Sequence, residues 1–168
     1  NSDDSSKWEF LKWQYSLNHL GKEIHMCMEG YCSAYIYWYL KRFYGLMGDT
    51  DKRSPTSEGE ITKNGYIMAH YAQYATETTR IKAVTNNEDV CATAYLDEKT
   101  GEVTIVLLNL NGASQWLEIP FAEIKKASAV ETNETKNMEV LDTGLMESAE
   151  GITVLLSANS ITSVRLTF

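Results

Sequence analysis

The amino-acid sequence predicts a mixed fold, α/β over residues 1–79 and all-β over residues 80–168. In the first segment, apolar residues recur every three or four positions, which is typical of amphipathic helices. After Arg80, short stretches alternate between apolar and polar residues with a period of two. Between the two helical patterns, residues 33–40 are rich in Tyr and Ile and apolar on both faces, as in strands of a helix-covered parallel sheet.

The first helix is predicted from a single apolar stripe. Its members, spaced by four, three, four and four, are Trp13, Leu17, Leu20, Ile24 and Met28. Ser5 or Ser6 can cap its N-terminus, and Gly30 is a suitable residue to end it.

A second helix is predicted over residues 64–76, with Thr62 as its candidate N-cap. Its apolar side consists of Ile67, Met68, Tyr71 and Tyr74. The preceding stretch, residues 48–59, contains Pro55 and charges of both signs and is predicted to be a surface loop.

Eight strands are predicted after the helices. They cover residues 80–84, 90–96, 102–110, 114–119, 126–132, 138–142, 152–157 and 160–167. Turn-forming residues separate them, and the connection between the second and third strands is expected to place Gly101 at positive φ. Short strands at such close spacing favour a β-sandwich.

Charge and composition exclude several classes of protein. The 168 residues carry 15 basic and 23 acidic side chains, a net charge of −8, which disfavours binding to nucleic acids and to anionic membranes. The three histidines lack the spacing of a zinc protease, and no phosphate-binding or dinucleotide motif is present, so neither a metal nor a cofactor is expected. Three cysteines allow one disulfide but not a disulfide framework.

The strand predicted over residues 33–40 has no parallel partner in its own segment. A strand buried on both faces must pair its backbone N–H and C=O groups. Its neighbours could come from the β region, from another chain, or from sequence that is absent here. We favour the third source, because β-sandwiches rarely supply a parallel neighbour to a strand outside their own sheets.

Aromatic residues and two cations crowd the end of this stretch. Six of the ten residues from 35 to 44 are aromatic, and Lys41 and Arg42 follow the predicted strand. Aromatic rings offer platforms for the apolar faces of sugars, and an arginine can bind a carboxylate through two parallel hydrogen bonds. The alternative is that the rings fill a core and that Lys41 and Arg42 are solvated.

Four motifs resemble glycoside hydrolase family 30, and within it the bacterial glucuronoxylanases. The motifs are GKEIH at 21–25, AYIYWY at 34–39, RFYG at 42–45 and KNGYIMA at 63–69. The resemblance is strong over residues 7–75 and looser in the β region.

The resemblance implies that the chain is the last part of a (β/α)₈ TIM barrel followed by a β-sandwich side domain. Residues 8–29 would be the seventh helix and residues 33–40 the eighth strand, followed by the eighth helix. The barrel segment as a whole would cover residues 1–79, and the β-sandwich side domain residues 80–168. Both catalytic glutamates of this retaining endo-β-1,4-xylanase family would lie upstream, so no catalytic residue is expected in this chain, which alone should be inactive. The implied partners are glucuronoxylan and the missing N-terminal barrel portion, and the implied location is secreted or periplasmic.

The resemblance also implies a substrate-binding role for four residues. Trp38 and Tyr39 correspond to positions lining the sugar cleft, Arg42 to the arginine that binds the glucuronate carboxylate, and Tyr44 to the tyrosine beside it. The sequence departs from the family pattern at Tyr37, where Trp is usual, at Phe43, where a small polar residue is common, and in a longer loop over residues 46–60.

Two alternatives remain open. One is a non-catalytic β-sandwich module that binds a polysaccharide or a protein partner, with the helical segment as a docking arm. The other is an enzyme of the same family that acts on other β-linked sugars.

Overall fold

The computed structural model describes residues 5–148 and 150–168 and contains three α-helices and nine β-strands. The helical part consists of a 3₁₀ helix (Ser5–Leu11), α1 (Trp13–Ser16), a π-helical turn (Leu17–Gly21), α2 (Lys22–Glu29) and α3 (Lys63–Ala72). None of the helices described is both long and apolar enough to cross a membrane.

The structure confirms the buried face and the C-terminal end of the first predicted helix. Four of its five stripe residues are buried, Met28 is half-buried, and Gly30 is the C-cap of α2. The first part of the predicted helix, Ser5–Leu11, is a 3₁₀ helix with non-helical dihedrals at Trp8 (φ −119°, ψ 19°). The α-helix therefore starts only at Trp13, later than predicted.

The second helix is confirmed together with its cap. The Thr62 side chain accepts a hydrogen bond from the backbone N–H of Gly65 at 3.2 Å, which satisfies one of the free donors of the first turn. Ile67 and Tyr71 are buried on its inner side. The regular helix ends at Ala72, before the predicted residue 76.

The strand predicted over residues 33–40 is not formed. This segment has no regular secondary structure, and the nearest pairings are isolated bridges of Met47 with Lys41 and with Ile61. The reason is that no strand among the residues described lies beside it to complete a ladder of hydrogen bonds. Apart from this strand, the predicted order of a first helix, a second helix and a β-sandwich is observed.

The nine strands form two antiparallel sheets. They are β1 (Thr79–Ile81), β2 (Val90–Leu96), β3 (Val103–Asn109), β4 (Gln115–Pro120), β5 (Lys126–Thr132), β6 (Glu139–Val140), β7 (Leu145–Ser148), β8 (Gly151–Leu156) and β9 (Ser160–Thr167). The larger sheet has the order β1-β2-β3-β9-β5-β6 and the smaller one β4-β8-β7. The β-sandwich prediction is confirmed, and Gly101 has the expected positive φ of 73°. The short strand β7 was not predicted.

Strand β3 shows how the sandwich and the helices are joined. All seven of its residues are buried. Val103, Ile105 and Leu107 pack in the core between the two sheets. Val106 and Leu108, which point to the opposite face, pack in a second core with the helices.

The second core makes the helices and the larger sheet one packed unit. Its buried members are Trp13, Leu17, Leu20, Ile24, Ile67, Tyr71, Tyr95, Val106, Leu108 and Ile161. Polar contacts cross the same boundary: Trp13 Nε1 donates to the Asn159 carbonyl at 2.6 Å, and Lys63 Nζ donates to the Lys136 carbonyl at 2.9 Å. Residue 79 therefore marks a change of sequence pattern, but the residues before and after it pack in one common core.

A buried histidine also connects α3 to the larger sheet. His70 is fully buried, with Nδ1 at 2.7 Å from Ser163 Oγ and Nε2 at 2.9 Å from Thr132 Oγ1. Both ring nitrogens are therefore hydrogen-bonded by neutral hydroxyls. Burial disfavours the imidazolium and lowers the pKa of His70 to about 3.

We expect this histidine to make the fold sensitive to acid. The unfolded chain protonates His70 near pH 6.5 and the folded chain near pH 3, so between these values the unfolded state binds more protons. The free energy of unfolding should fall by up to about 1.4 kcal/mol for each pH unit as pH drops through this window. Urea titrations of His70→Gln, which can keep both hydrogen bonds without titrating, should show a flatter pH dependence. An unchanged slope would contradict the assignment.

Candidate functional site

Three of the four predicted site residues, Tyr39, Arg42 and Tyr44, lie on a tight backbone turn, residues 39–47, and Trp38 directly precedes it. The N–H of Met47 donates to the Leu40 carbonyl at 2.8 Å, and the N–H of Arg42 donates to the Met47 carbonyl at 3.2 Å. The N–H of Gly45 donates to the Arg42 carbonyl at 2.8 Å. These bonds hold the two ends of the turn together and fix the backbone position from which the Arg42 side chain projects.

Gly45 allows the turn to close. A Cβ atom at this position would lie 2.8 Å from the Arg42 nitrogen and 2.9 Å from the carbonyl oxygens of Tyr39 and Leu40. All three are backbone atoms, which cannot move away without opening the turn. Gly45 thus positions the residues of the site without offering a side chain of its own.

Gly45→Ala is expected to disturb the site and to destabilise the protein. Overpacking against backbone should lower the free energy of unfolding by about 1–3 kcal/mol. Gly112→Ala is a matched control, because a Cβ there meets no atom within 4 Å and its φ is not in the positive range. Thermal unfolding of both variants measures the difference. Equal melting temperatures would show that the turn tolerates a side chain at residue 45.

Three side chains fasten the turn to helix α3 and its cap. The hydroxyl of Tyr37 donates to the Tyr44 carbonyl at 2.8 Å, and Asn64 Nδ2 lies 3.1 Å from both the Tyr37 hydroxyl oxygen and the Tyr44 carbonyl oxygen. Thr62 Oγ1 donates to the Gly45 carbonyl at 2.7 Å. Desolvation raises the pKa of Tyr37, which keeps its hydroxyl protonated as a donor.

This anchoring role was not predicted from the sequence. The sequence indicates Thr62 only as a helix cap and Tyr37 only as a departure from the family pattern. The three bonds made by Thr62 and Asn64 join residues 17 to 27 positions apart, a separation that no local pattern reveals.

Aromatic side chains form the exposed surface beside the turn. Trp38 is 72% exposed and Tyr39 41% exposed, with ring centroids 4.5 Å apart. Tyr44 is half-buried, 6.4 Å from the Tyr39 ring. Tyr35 and Tyr37 are half-buried, whereas Ile36, Trp38 and Leu40 are exposed. The bond from the Trp38 carbonyl carbon to the Tyr39 nitrogen is a cis peptide.

Arg42 completes this surface. Its side chain is exposed, and its guanidinium carbon lies 5.3 Å from the centre of the Tyr39 ring. Arg42 forms no ion pair with any residue in the described ranges. The structure thus brings the four predicted residues, Trp38, Tyr39, Arg42 and Tyr44, together around one cation that has no carboxylate partner among the described residues.

The two neighbouring cations are engaged elsewhere. Lys41 pairs with Glu58, and Arg53 pairs with Asp51 through two side-chain hydrogen bonds. These bonds from Arg53 hold the pKa of Asp51 at about 2, with a smaller contribution from Arg42. Asp51 therefore stays ionised and bound to Arg53.

Phe43 points away from the exposed surface. It is buried against Phe10, at a centroid separation of 6.1 Å, and Trp8, at 6.3 Å, and the Arg53 guanidinium carbon lies 3.7 Å from its ring centre. A small polar residue could not fill this position. The departure from the family pattern at Phe43 thus accompanies a local core between the 3₁₀ helix and the loop that carries Arg53.

The buried carboxylate of Glu131 has a structural role. It is fully buried and accepts hydrogen bonds from the N–H of Ser157 at 3.0 Å, its hydroxyl at 2.8 Å and Lys136 Nζ at 3.0 Å. These contacts tie β5 to the connection between β8 and β9. Within residues 5–148 and 150–168, no three His, Cys, Asp or Glu side chains are grouped in a way that could hold a metal ion.

Comparisons with known proteins agree with the resemblance seen in the motifs. No family model matches the chain. A curated relative, glucuronoxylanase XynC from Bacillus subtilis (strain 168), is 30% identical over 168 residues, covering 97% of this chain and 36% of the relative. The chain spans about a third of the length of the curated relatives it matches, 36% and 31%.

Solved structures show the same fold. The family 30 subfamily 8 xylanase Xyn30A from Clostridium acetobutylicum superposes with a TM-score of 0.79 at 22% identity, covering 94% of this chain and 40% of that one. A conserved exported protein from Bacteroides fragilis gives a TM-score of 0.71 at 18% identity, covering 92% and 34%. In sequence and in fold, this chain resembles the C-terminal portion of the glucuronoxylanases of glycoside hydrolase family 30, as its motifs predicted.

Proposed function

We propose that this chain is the C-terminal portion of a retaining endo-β-1,4-xylanase that cuts glucuronoxylan. In this proposal the catalytic glutamates lie upstream, in the part of the barrel that the chain does not include. Its contribution is the turn at residues 39–47, which binds the glucuronate branch. The similarity to glucuronoxylanase XynC over 97% of the chain supports the substrate class.

The observation that carries the proposal is the environment of Arg42. The guanidinium is exposed next to aromatic rings and has no ion pair with the residues described. A planar guanidinium can hold a carboxylate through two parallel N–H···O bonds, and Trp38 and Tyr39 can pack against sugar rings. Arg42, Tyr44, Trp38 and Tyr39 would then bind the acidic branch and the adjoining xylose units.

The experiment requires the chain joined to its upstream sequence. The proposal predicts hydrolysis of glucuronoxylan, little hydrolysis of unbranched xylan, and no hydrolysis by residues 1–168 alone. Equal activity on both polymers would overturn the glucuronate assignment. Release of other β-linked products would point instead to the related enzyme class considered above.

Substitution of the exposed Trp116 tests whether the protein is an enzyme of this kind or a carbohydrate-binding module. Trp116 lies on β4 of the smaller sheet and is 53% exposed, so the sandwich has an aromatic surface of its own. Affinity electrophoresis of the upstream-extended protein in glucuronoxylan should show weaker retardation for Trp38→Ala and unchanged retardation for Trp116→Ala. Stacking on one sugar contributes about 1–2 kcal/mol, a roughly tenfold loss of affinity. The reverse result would favour a carbohydrate-binding sandwich.

We further propose that the protein acts outside the cytoplasm. A polymeric substrate such as xylan is met extracellularly, and one structural neighbour is described as an exported protein. Fractionation of the producing cells, with activity assayed in medium, periplasm and cytoplasm, tests this, and activity confined to the cytoplasm would contradict it.

A further inference from the structure

The end of α2 has a hydrogen-bond pattern that brings two cysteines together. The N–H of Cys32 donates to the Cys27 carbonyl at 3.0 Å, and the N–H of Tyr31 donates to the Met28 carbonyl at 3.2 Å. Tyr31 has a left-handed backbone with φ 57°. These are the nested bonds of a Schellman motif, with Gly30 as its C-cap.

In a Schellman motif, the residues joined by the outer bond commonly bring their side chains into contact. In many Schellman motifs these two side chains are apolar. Here they are Cys27 and Cys32, both free thiols. We propose that Cys27 and Cys32 form a redox-sensitive pair that oxidises to an intramolecular disulfide across the end of α2.

The surroundings of the two thiols support a reaction in a fixed order. Cys32 is exposed and Cys27 half-buried, so an external oxidant reaches Cys32 first. The pKa of Cys27 is raised, mainly by desolvation and then by the neighbouring Cys32 thiol. Cys27 is thus the resolving thiol, and its proximity to Cys32 compensates for its lower thiolate population.

The oxidant in this proposal is a low-molecular-weight disulfide such as oxidised glutathione. The Cys32 thiolate attacks one sulfur of the oxidant, forms a mixed disulfide and releases one thiolate. The Cys27 thiolate then attacks the Cys32 sulfur, forms the Cys27–Cys32 bond and releases the second thiolate. The protein loses two electrons and two protons, and the oxidant is reduced to two thiols.

The bridge would link α2 to the segment that leads to the candidate site. Residues 32–35 line a cleft of about 440 Å³, with Met28, Tyr31 and Arg80 among the other lining residues. Tyr35, the last of these four lining residues, is already bound to α2, because its hydroxyl donates a hydrogen bond to the Glu23 carboxylate at 3.0 Å. Oxidation would add a covalent tie near the start of the same segment, a few residues before Trp38.

The test uses the folded 168-residue chain and oxidised glutathione. After oxidation, unfolding and alkylation, we expect one alkylated thiol, Cys91, out of three, and a peptide containing Cys27 and Cys32 that is about 2 Da lighter than its reduced form. Reduction should restore all three thiols. Three alkylated thiols, or stable glutathione adducts on both Cys27 and Cys32, would overturn the proposal.

Single substitutions separate the pair from the third cysteine. Cys91, on β2, is half-buried, and Cys91→Ser should leave formation of the bridge unchanged. Cys27→Ser should stop the reaction at a glutathione adduct on Cys32. A bridge between Cys91 and either remaining cysteine would contradict the assignment.

Discussion

Arg42→Ala is expected to lower kcat/KM on glucuronoxylan by about 100-fold in the upstream-extended enzyme, because two charge-assisted hydrogen bonds of about 1.5 kcal/mol each are lost. The same variant should leave the low activity on unbranched xylan within about twofold, since that substrate offers no carboxylate. Stability should be nearly unchanged, because the Arg42 side chain is exposed and has no ion pair with the residues described.

Arg42→Lys is the matched control that keeps the positive charge at residue 42 but removes the planar guanidinium. A lysine keeps the positive charge but cannot donate two parallel hydrogen bonds, so we expect a loss of about tenfold on glucuronoxylan. Arg53→Lys controls for a general effect of nearby charge, since Arg53 is bound to Asp51 and packs on Phe43. A large loss for Arg53→Lys with none for Arg42→Ala would place carboxylate recognition elsewhere.

Residues 80–168 produced without the helices are expected not to fold cooperatively. Removal of the helices would expose four side chains of the larger sheet that are buried against them in the second core. These are Tyr95, Val106, Leu108 and Ile161. Exposing each such side chain costs about 1.5–3 kcal/mol, and the sum approaches the entire stability of a typical domain. Circular dichroism during thermal unfolding should show no sharp transition for residues 80–168.

The 168-residue chain provides the comparison. Residues 1–168 should unfold in a single transition, because the helices and the larger sheet share one core. Leu108→Ala should destabilise this transition by about 2–5 kcal/mol, as expected for a fully buried leucine. A folded and stable 80–168 fragment would show that the sandwich does not need the helices, and would favour the independent binding module.

The β-sandwich was predictable because all of its strands except β7 fall in stretches that carry their own local pattern. The predicted bounds of β2, β5 and β9 are those observed, and alternation in β3 separates the side chains of its two cores. Strand β7 escaped prediction because it has only four residues, three of them exposed. Local periodicity is informative only where a strand buries a face.

The site was only partly predictable. The sequence motifs identified Trp38, Tyr39, Arg42 and Tyr44, which the structure places side by side, while their substrate-binding role remains a prediction. Residues 33–40 carry the pattern of a strand, but a strand also needs a neighbour, and none lies beside them in the described structure. The hydrophobic pattern of a segment shows which secondary structure the segment can form. Whether a strand forms also depends on a neighbouring strand elsewhere in the molecule.

The most direct test of carboxylate recognition by Arg42 compares glucuronoxylan with the same polymer after its uronic acids are reduced to neutral sugars. Only the carboxylate changes, so branch size and chain length are held constant. For the wild-type enzyme, carboxyl reduction should lower kcat/KM by about 100-fold, and for Arg42→Ala it should have almost no further effect. If reduction and the Arg42→Ala substitution instead lowered activity independently, Arg42 would not bind the glucuronate carboxylate.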